Sequence, residues 1–202
     1  MNTVITYGFD NNNYQIHSCK SFNNIESLPN YNHITYLDCY NNQLTHLPKL
    51  PDNLEYLICC DNQITLLPIL PKGLRLLYCG NNCLTKLPKL PNSLHYLSCN
   101  NNQLTALPIL PDSLKEVICS YNNLKYLPTF MRNSTNKIFE YYDNPVYHYI
   151  INECDGNLRI YNIHKIFANK LSVWFLECKY NPLYKYCRDR VNNEYDSLIH
   201  CS

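Results

Sequence analysis

Leu54-Glu55-Tyr56-Leu57-Ile58-Cys59-Cys60-Asp61-Asn62-Gln63-Ile64-Thr65-Leu66-Leu67-Pro68-Ile69-Leu70-Pro71-Lys72-Gly73 is one copy of a unit that returns in phase along the middle of the chain. Cys39, Cys59, Cys79, Cys99 and Cys119 are spaced by 20 residues, and Cys19 falls on the same beat. Ile34, Leu54, Leu74, Leu94 and Leu114 keep the interval, as do Leu37, Leu57, Leu77, Leu97 and Val117. So do Asn42, Asn62, Asn82, Asn102 and Asn122, and the Leu-Pro pairs from Leu47-Pro48 to Leu127-Pro128. A second proline follows at Pro51, Pro71, Pro91 and Pro111. The unit reads L-x-x-L-x-C-x-x-N-x-L-T-x-L-P-x-L-P-x-x, and a fixed period of this length marks a stacked repeat architecture.

Each repeated position has a physical reason. The L-x-x-L-x-C segment is too short for a helix, and its alternation fits a short strand. Stacked copies form a parallel sheet with strands about 4.8 Å apart. The leucines and the cysteine then share a core that no single copy could bury. The asparagine stands where the chain leaves the strand, and its amide is suited to satisfying backbone groups of the turn. The two prolines donate no ladder hydrogen bonds and fix φ, so the returning arm is extended and polyproline-like.

The rest of the chain bounds this core. A formal net charge of +1 lacks the clustered positive charge of a nucleic-acid binder or a membrane-surface protein. Residues 1–10 lack the basic and apolar regions of a secretory signal, and no apolar run is long enough to span a bilayer. The twelve cysteines are therefore expected as free thiols in a reducing, cytoplasmic setting. Residues 1–30 read as a hairpin, with strands at Thr3 to Phe9 and Tyr14 to Cys19, plus a degenerate repeat that caps the core. Residues 31–130 hold five repeats, and 131–202 read as a helical cap or small module. Asn144-Pro145 and Asn181-Pro182 resemble helix starts, and the apolar spacing predicts helices over about 145–154, 157–179 and 182–199.

Residues about 34–130 resemble the short, 20-residue class of leucine-rich repeats found in bacterial type III effectors, which share the L-P-x-L-P arm. The cysteine ladder, with abundant Asn, Tyr and Ile, also resembles leucine-rich repeat proteins of giant amoebal viruses. The tail segment from Glu177 to Cys187 belongs to that second likeness. The resemblance implies a leucine-rich repeat solenoid: a curved parallel β-sheet, extended return arms and a small α-helical C-terminal cap. The viral likeness implies a host protein as partner. Some bacterial proteins with similar repeats carry a C-terminal ubiquitin-ligase domain with a catalytic cysteine, which draws Cys154-Asp155 into view. The segment after the repeats is too short for that domain.

Strand residues between the leucines face outward on the concave side. They form one stripe of Tyr36, Tyr56, Leu76, Tyr96 and Glu116, and another of Asp38, Ile58, Tyr78, Ser98 and Ile118. Tyr36, Tyr56, Ile58, Leu76, Tyr78, Tyr96 and Ile118 are large and apolar or aromatic, as at protein contacts. Glu55, Arg75, His95 and Lys115 form a mixed-charge rim. The competing reading is that β-propensity alone places Tyr and Ile there. The cysteine ladder reads as small buried hydrophobes, with Cys60 accessible near the rim. Neither Cys59-Cys60 nor Cys79 with Cys83 makes a paired C-x-x-C metal set, so no metal or cofactor is expected. His46 and His95 lack an orienting carboxylate, so no catalytic residue is assigned. The leading reading is a non-enzymatic module that binds a protein partner on the concave face. A structural or self-assembling component, associating through the same patch or the helical cap, is the alternative; a cysteine-dependent ligase is a remote third.

Overall fold

The computed structural model describes residues 3–8, 14–19, 30–128 and 138–153. The chain divides into two compact units, Met1–Tyr147 and His148–Ser202, and the repeats lie in the first. The strands are β1 (Thr3–Gly8), β2 (Tyr14–Cys19), β3 (Tyr36–Asp38), β4 (Tyr56–Ile58), β5 (Leu76–Tyr78), β6 (Tyr96–Ser98), β7 (Glu116–Ile118) and β8 (Ile138–Glu140). A 3-10 turn occupies Tyr31–His33, and helix α1 covers Pro145–Glu153. All eight strands form one sheet in the order β2-β1-β3-β4-β5-β6-β7-β8.

From β3 to β8 the strands run parallel and in register, so Leu37, Leu57, Leu77, Leu97, Val117 and Phe139 lie side by side. The first five of these are buried, together with Ile34, Leu54, Leu74, Leu94 and Leu114 at the start of each repeat. Burying one such side chain stabilises by roughly 1.5–3 kcal/mol. A lone coil has nothing to bury it against, so the stabilisation belongs to neighbouring pairs of coils. β1 is antiparallel both to β2 and to β3, and it sets buried Tyr7 opposite Leu37.

Cys19 keeps the interval of 20 but not the repeat's structure. It ends β2, an antiparallel strand opposite Thr3 at the edge of the sheet, so its place on the beat has no counterpart in the stack.

Each parallel strand, β3 to β8, is three residues long because the chain turns sharply after the position that cysteine holds in the first five. The residue before each ladder asparagine has a positive φ: Asn41, Asp61, Asn81, Asn101, Tyr121 and Asp143. Asn and Asp tolerate this left-handed region best among residues with a Cβ. The asparagine that follows then bonds two coils at once. The Asn82 amide nitrogen donates to the carbonyls of Cys59 (3.0 Å), Cys79 (3.2 Å) and Gly80 (3.1 Å), while its Oδ1 accepts the Ile64 N–H (2.9 Å). Asn62, Asn102 and Asn122 repeat the pattern from buried positions. Asn42, at the start, donates to the Tyr40 carbonyl.

The return arms between strands contain no helix over the described residues 34–128. Their second proline closes a turn: the carbonyls of Pro51, Pro71, Pro91 and Pro111 accept the N–H of Leu54, Leu74, Leu94 and Leu114. The first unit is thus a leucine-rich repeat solenoid, with a parallel sheet on one side and extended arms on the other.

The sheet runs one strand further than the repeat pattern carries it, because β8 lies in the stretch read as helical. Asn144, read as a helix cap, spends its side chain on the ladder. Its amide donates to Cys119, Tyr141 and Tyr142 carbonyls, and its Oδ1 accepts the Leu124 N–H. Only its backbone carbonyl serves α1, accepting the Tyr147 N–H. The helices expected at 157–179 and 182–199 lie outside the described residues.

Candidate functional site

Because the strands are in register, the side chains flanking each buried leucine line up in two rows on the open face. Tyr36, Tyr56, Leu76, Tyr96 and Glu116 form one row, and Asp38, Ile58, Tyr78, Ser98 and Ile118 the other. All ten are half-buried by their neighbours except Tyr96, which is exposed. The rows therefore make a continuous surface in which ring faces and edges stay accessible.

Within it, the rings of Tyr36 and Tyr56 lie 6.5 Å apart and tilted by 41°, a separation typical of interacting aromatics. The Tyr36 hydroxyl donates to Asp38 Oδ2 at 3.4 Å, and Asp38 Oδ1 accepts the Tyr40 N–H at 2.9 Å. The Ser98 hydroxyl donates to Asn100 Oδ1 at 2.8 Å. Burial, followed by the Glu116 carboxylate and Tyr96, raises the Tyr78 hydroxyl above its ordinary pKa. It therefore remains a neutral donor throughout the physiological range. At the amino-terminal rim, Arg75 Nε pairs with Glu55 Oε2 at 3.4 Å across two coils, and the His95 ring stands 6.4 Å from that of Tyr96.

The two rows continue onto β8 with Ile138, which is 55% exposed, and Glu140. Reading by the 20-residue period misses both. The signal was present as Phe139-x-Tyr141-x-x-Asn144, which echoes L-x-C-x-x-N with tyrosine in the cysteine place. A second surface, on the return arms, also escapes that reading. Ile69 and Ile109 are 91% and 93% exposed, and Ile69 borders a shallow groove of about 650 Å³ with Lys49, Pro68 and Lys72.

The ladder cysteines Cys39, Cys59, Cys79, Cys99 and Cys119 are buried free thiols. The Cys39 and Cys119 thiols lie against the carbonyls of Ile58 and Glu140 at 3.4 and 3.2 Å. Desolvation raises the pKa of all five, Cys119 to about 12, so they are poor nucleophiles and poor metal ligands. Cys60 is only partly buried, and burial raises its pKa as well. Among the described residues no group of three or more His, Cys, Asp or Glu side chains is placed to hold a metal ion. Nor is any described helix long and apolar enough to cross a membrane. Cys154 and Asp155 lie outside the described residues.

No protein-family model matches the chain, and no curated protein does. Solved structures with similar sequence include YopM from Yersinia enterocolitica, 39% identical over 50% of this chain and 22% of that one, with a TM-score of 0.49. The leucine-rich repeat domain of a Shigella effector is 41% identical over 47% of this chain and 44% of that one, with a TM-score of 0.47. YopM, a leucine-rich effector protein from Yersinia pestis, is 39% identical over 48% and 28%, with a TM-score of 0.46. The chain thus spans less than half the length of each.

Proposed function

We propose that this protein is a non-enzymatic recognition module that binds a protein partner on the open face of its sheet. The observation that carries this reading is the in-register surface of Tyr36, Tyr56, Ile58, Leu76, Tyr78, Tyr96 and Ile118. Tyrosine supplies large, stiff contact area with a polar tip at small entropic cost, and contiguous surfaces of this kind concentrate binding energy. The repeated leucines, cysteines and asparagines are committed to the core and the ladder, which leaves the face free to vary without loss of fold. The viral likeness of the cysteine ladder extends the reading to a host protein met in a reducing cytoplasm, where buried free thiols are stable.

The test is a paired capture from cell lysate, with wild type and a folded Tyr56→Ser, Tyr78→Ser, Tyr96→Ser variant as baits, read by quantitative mass spectrometry. A protein captured by wild type and lost by the variant supports the reading. An identical catch from both removes the sheet face as the site. Recovery of the bait alone favours a self-assembling component.

A further inference from the structure

Charge on the repeats is segregated. The six parallel strands and the turns that leave them cover residues 36–43, 56–63, 76–83, 96–103, 116–123 and 138–144. They carry Asp38, Asp61, Glu116, Glu140 and Asp143 but no lysine, arginine or histidine. Between residues 36 and 128, Lys49, Lys72, Lys86, Lys89 and Lys125 stand on return arms and Arg75 and Lys115 at the amino-terminal rim of the sheet, and the same stretches carry Asp52, Glu55 and Asp112. The tyrosine-bearing strands and the turns that leave them thus carry five carboxylates with no lysine, arginine or histidine among them.

Asp38, Asp61, Glu116 and Glu140 form no ion pair with a described residue. Asp38 is held by the Tyr40 N–H and the Tyr36 hydroxyl, and Asp61 Oδ1 by the Asn81 amide, all neutral donors. Arg75 and Lys115 precede their strands by one residue, and Arg75 is taken up by Glu55. The tyrosine faces between the carboxylates are themselves sites of negative potential, which attract cations. A hydrophobic partner would leave these carboxylates desolvated and unpaired, a costly outcome.

Resting on the sheet face as the recognition surface, we infer that its occupant is a cationic polypeptide segment whose arginine or lysine side chains lie on the tyrosines between Asp38 and Glu116. These two carboxylates stand four strand steps apart, about 19 Å at the usual strand spacing. An extended segment of about six residues spans that distance.

The experiment uses the full chain with 13C-labelled tyrosine rings. It is titrated with three peptides of equal length, twelve residues of alternating Arg-Gly, Lys-Gly or Glu-Gly, at low and high salt. The expected result is that the Arg-Gly peptide shifts the rings of Tyr36, Tyr56, Tyr78 and Tyr96, the Lys-Gly peptide does so more weakly, and the Glu-Gly peptide does not. Added salt should weaken the response. The Asp38→Asn, Glu116→Gln, Glu140→Gln variant keeps the rings and the Tyr40 contact, and should bind the Arg-Gly peptide about tenfold more weakly. Equal response to the Glu-Gly peptide, or undiminished binding by this variant, overturns the cationic occupant while leaving the face as a recognition surface. No ring shift with any peptide overturns it as well. Failure of the recognition reading itself shows separately, as an identical lysate catch by wild type and the tyrosine variant.

Discussion

Replacing Asn102 by alanine isolates the contribution of one rung of the ladder. Its Oδ1 accepts the buried Leu84 N–H at 2.9 Å, and its amide donates to the carbonyls of Cys79, Cys99 and Asn100 at 3.1 Å each. The carbonyls are not abandoned by the change. Cys79 keeps the Asn82 amide, Cys99 keeps that of Asn122, and Asn100 keeps the Asn81 N–H. The Leu84 N–H loses its acceptor inside the core, which costs about 1–3 kcal/mol. Adding the lost amide bonds and a small void gives a total of about 2–4 kcal/mol. Asn42→Ala, at the partly exposed first rung, should cost less than about 1 kcal/mol. Urea unfolding followed by circular dichroism, with the slope unchanged, reads both values. Asn102→Asp adds a pH signature, because its second oxygen would face three carbonyls. That environment raises the folded-state pKa above the unfolded value of about 3.9. A raised carboxyl pKa means the folded state holds the proton more tightly, so stability falls as pH rises from the unfolded pKa to the folded one. Asn102→Asp should therefore be less stable than Asn102→Ala near neutral pH and recover towards wild type near pH 4. Equal losses for Asn42→Ala and Asn102→Ala, or a pH-independent Asn102→Asp, would refute the ladder as the device that joins the coils.

The other predictions follow from single positions. Ser93 and Ser113 donate to the carbonyls of Leu74 and Leu94 on the preceding coil, whereas Gly73 has no such hydroxyl and has open space around a Cβ. Gly73→Ser should stabilise by about 1 kcal/mol, through a bond to the Leu54 carbonyl and a less flexible unfolded chain; no gain in urea midpoint would count against it. Tyr121 holds φ 56° where the other coils place Asn or Asp, so Tyr121→Asn should raise stability by about 0.5–1 kcal/mol, and a loss would show that its ring has a role the backbone does not reveal. Mass-mapped alkylation of the native protein should leave Cys39, Cys59, Cys79, Cys99 and Cys119 unmodified while Cys60 reacts. Because burial raises the Cys60 pKa, its thiolate forms later, so its rate should climb only above the pH range of a free thiol.

The repeat was legible because its fixed positions are the ones that burial or hydrogen bonding constrains. Leucine, cysteine and asparagine recur where each coil offers the next an identical environment, and a constant environment selects a constant residue. β8 was not legible for the converse reason. Val117 pairs with Phe139, a step of 22 instead of 20, and Tyr141 stands in the cysteine place, so both the period and its marker residue fail together. Asn144 looked like a cap because proline follows it, and nothing local distinguishes a cap from a final rung. The left-handed turn residue hid in the Asn-rich stretch before each ladder asparagine, where Tyr121 breaks the composition without breaking the geometry. Cys19 falls on the beat too, yet it reads as the end of a hairpin strand and forms one: a residue on the beat carries no repeat structure unless the surrounding leucines keep the beat with it.

The same division between fixed and varied positions bears on function. In β3 to β7 the central residue is buried and repeated as Leu or Val, and the two beside it differ from coil to coil: Tyr-Asp, Tyr-Ile, Leu-Tyr, Tyr-Ser and Glu-Ile, with Ile-Glu following on β8. Since the backbone ladder and the asparagines hold the register without these side chains, folding imposes only a demand for residues that suit a pleated surface. That demand accounts for tyrosine and isoleucine, but not for the carboxylates, which strands disfavour. Asp38, Glu116 and Glu140 are therefore the least explained by stability and the most informative about what the face meets. Their replacement by the neutral amides should leave unfolding almost unchanged, within about 0.5 kcal/mol. A large loss would mean that the carboxylates serve the fold, and the argument for a cationic partner would lose its footing.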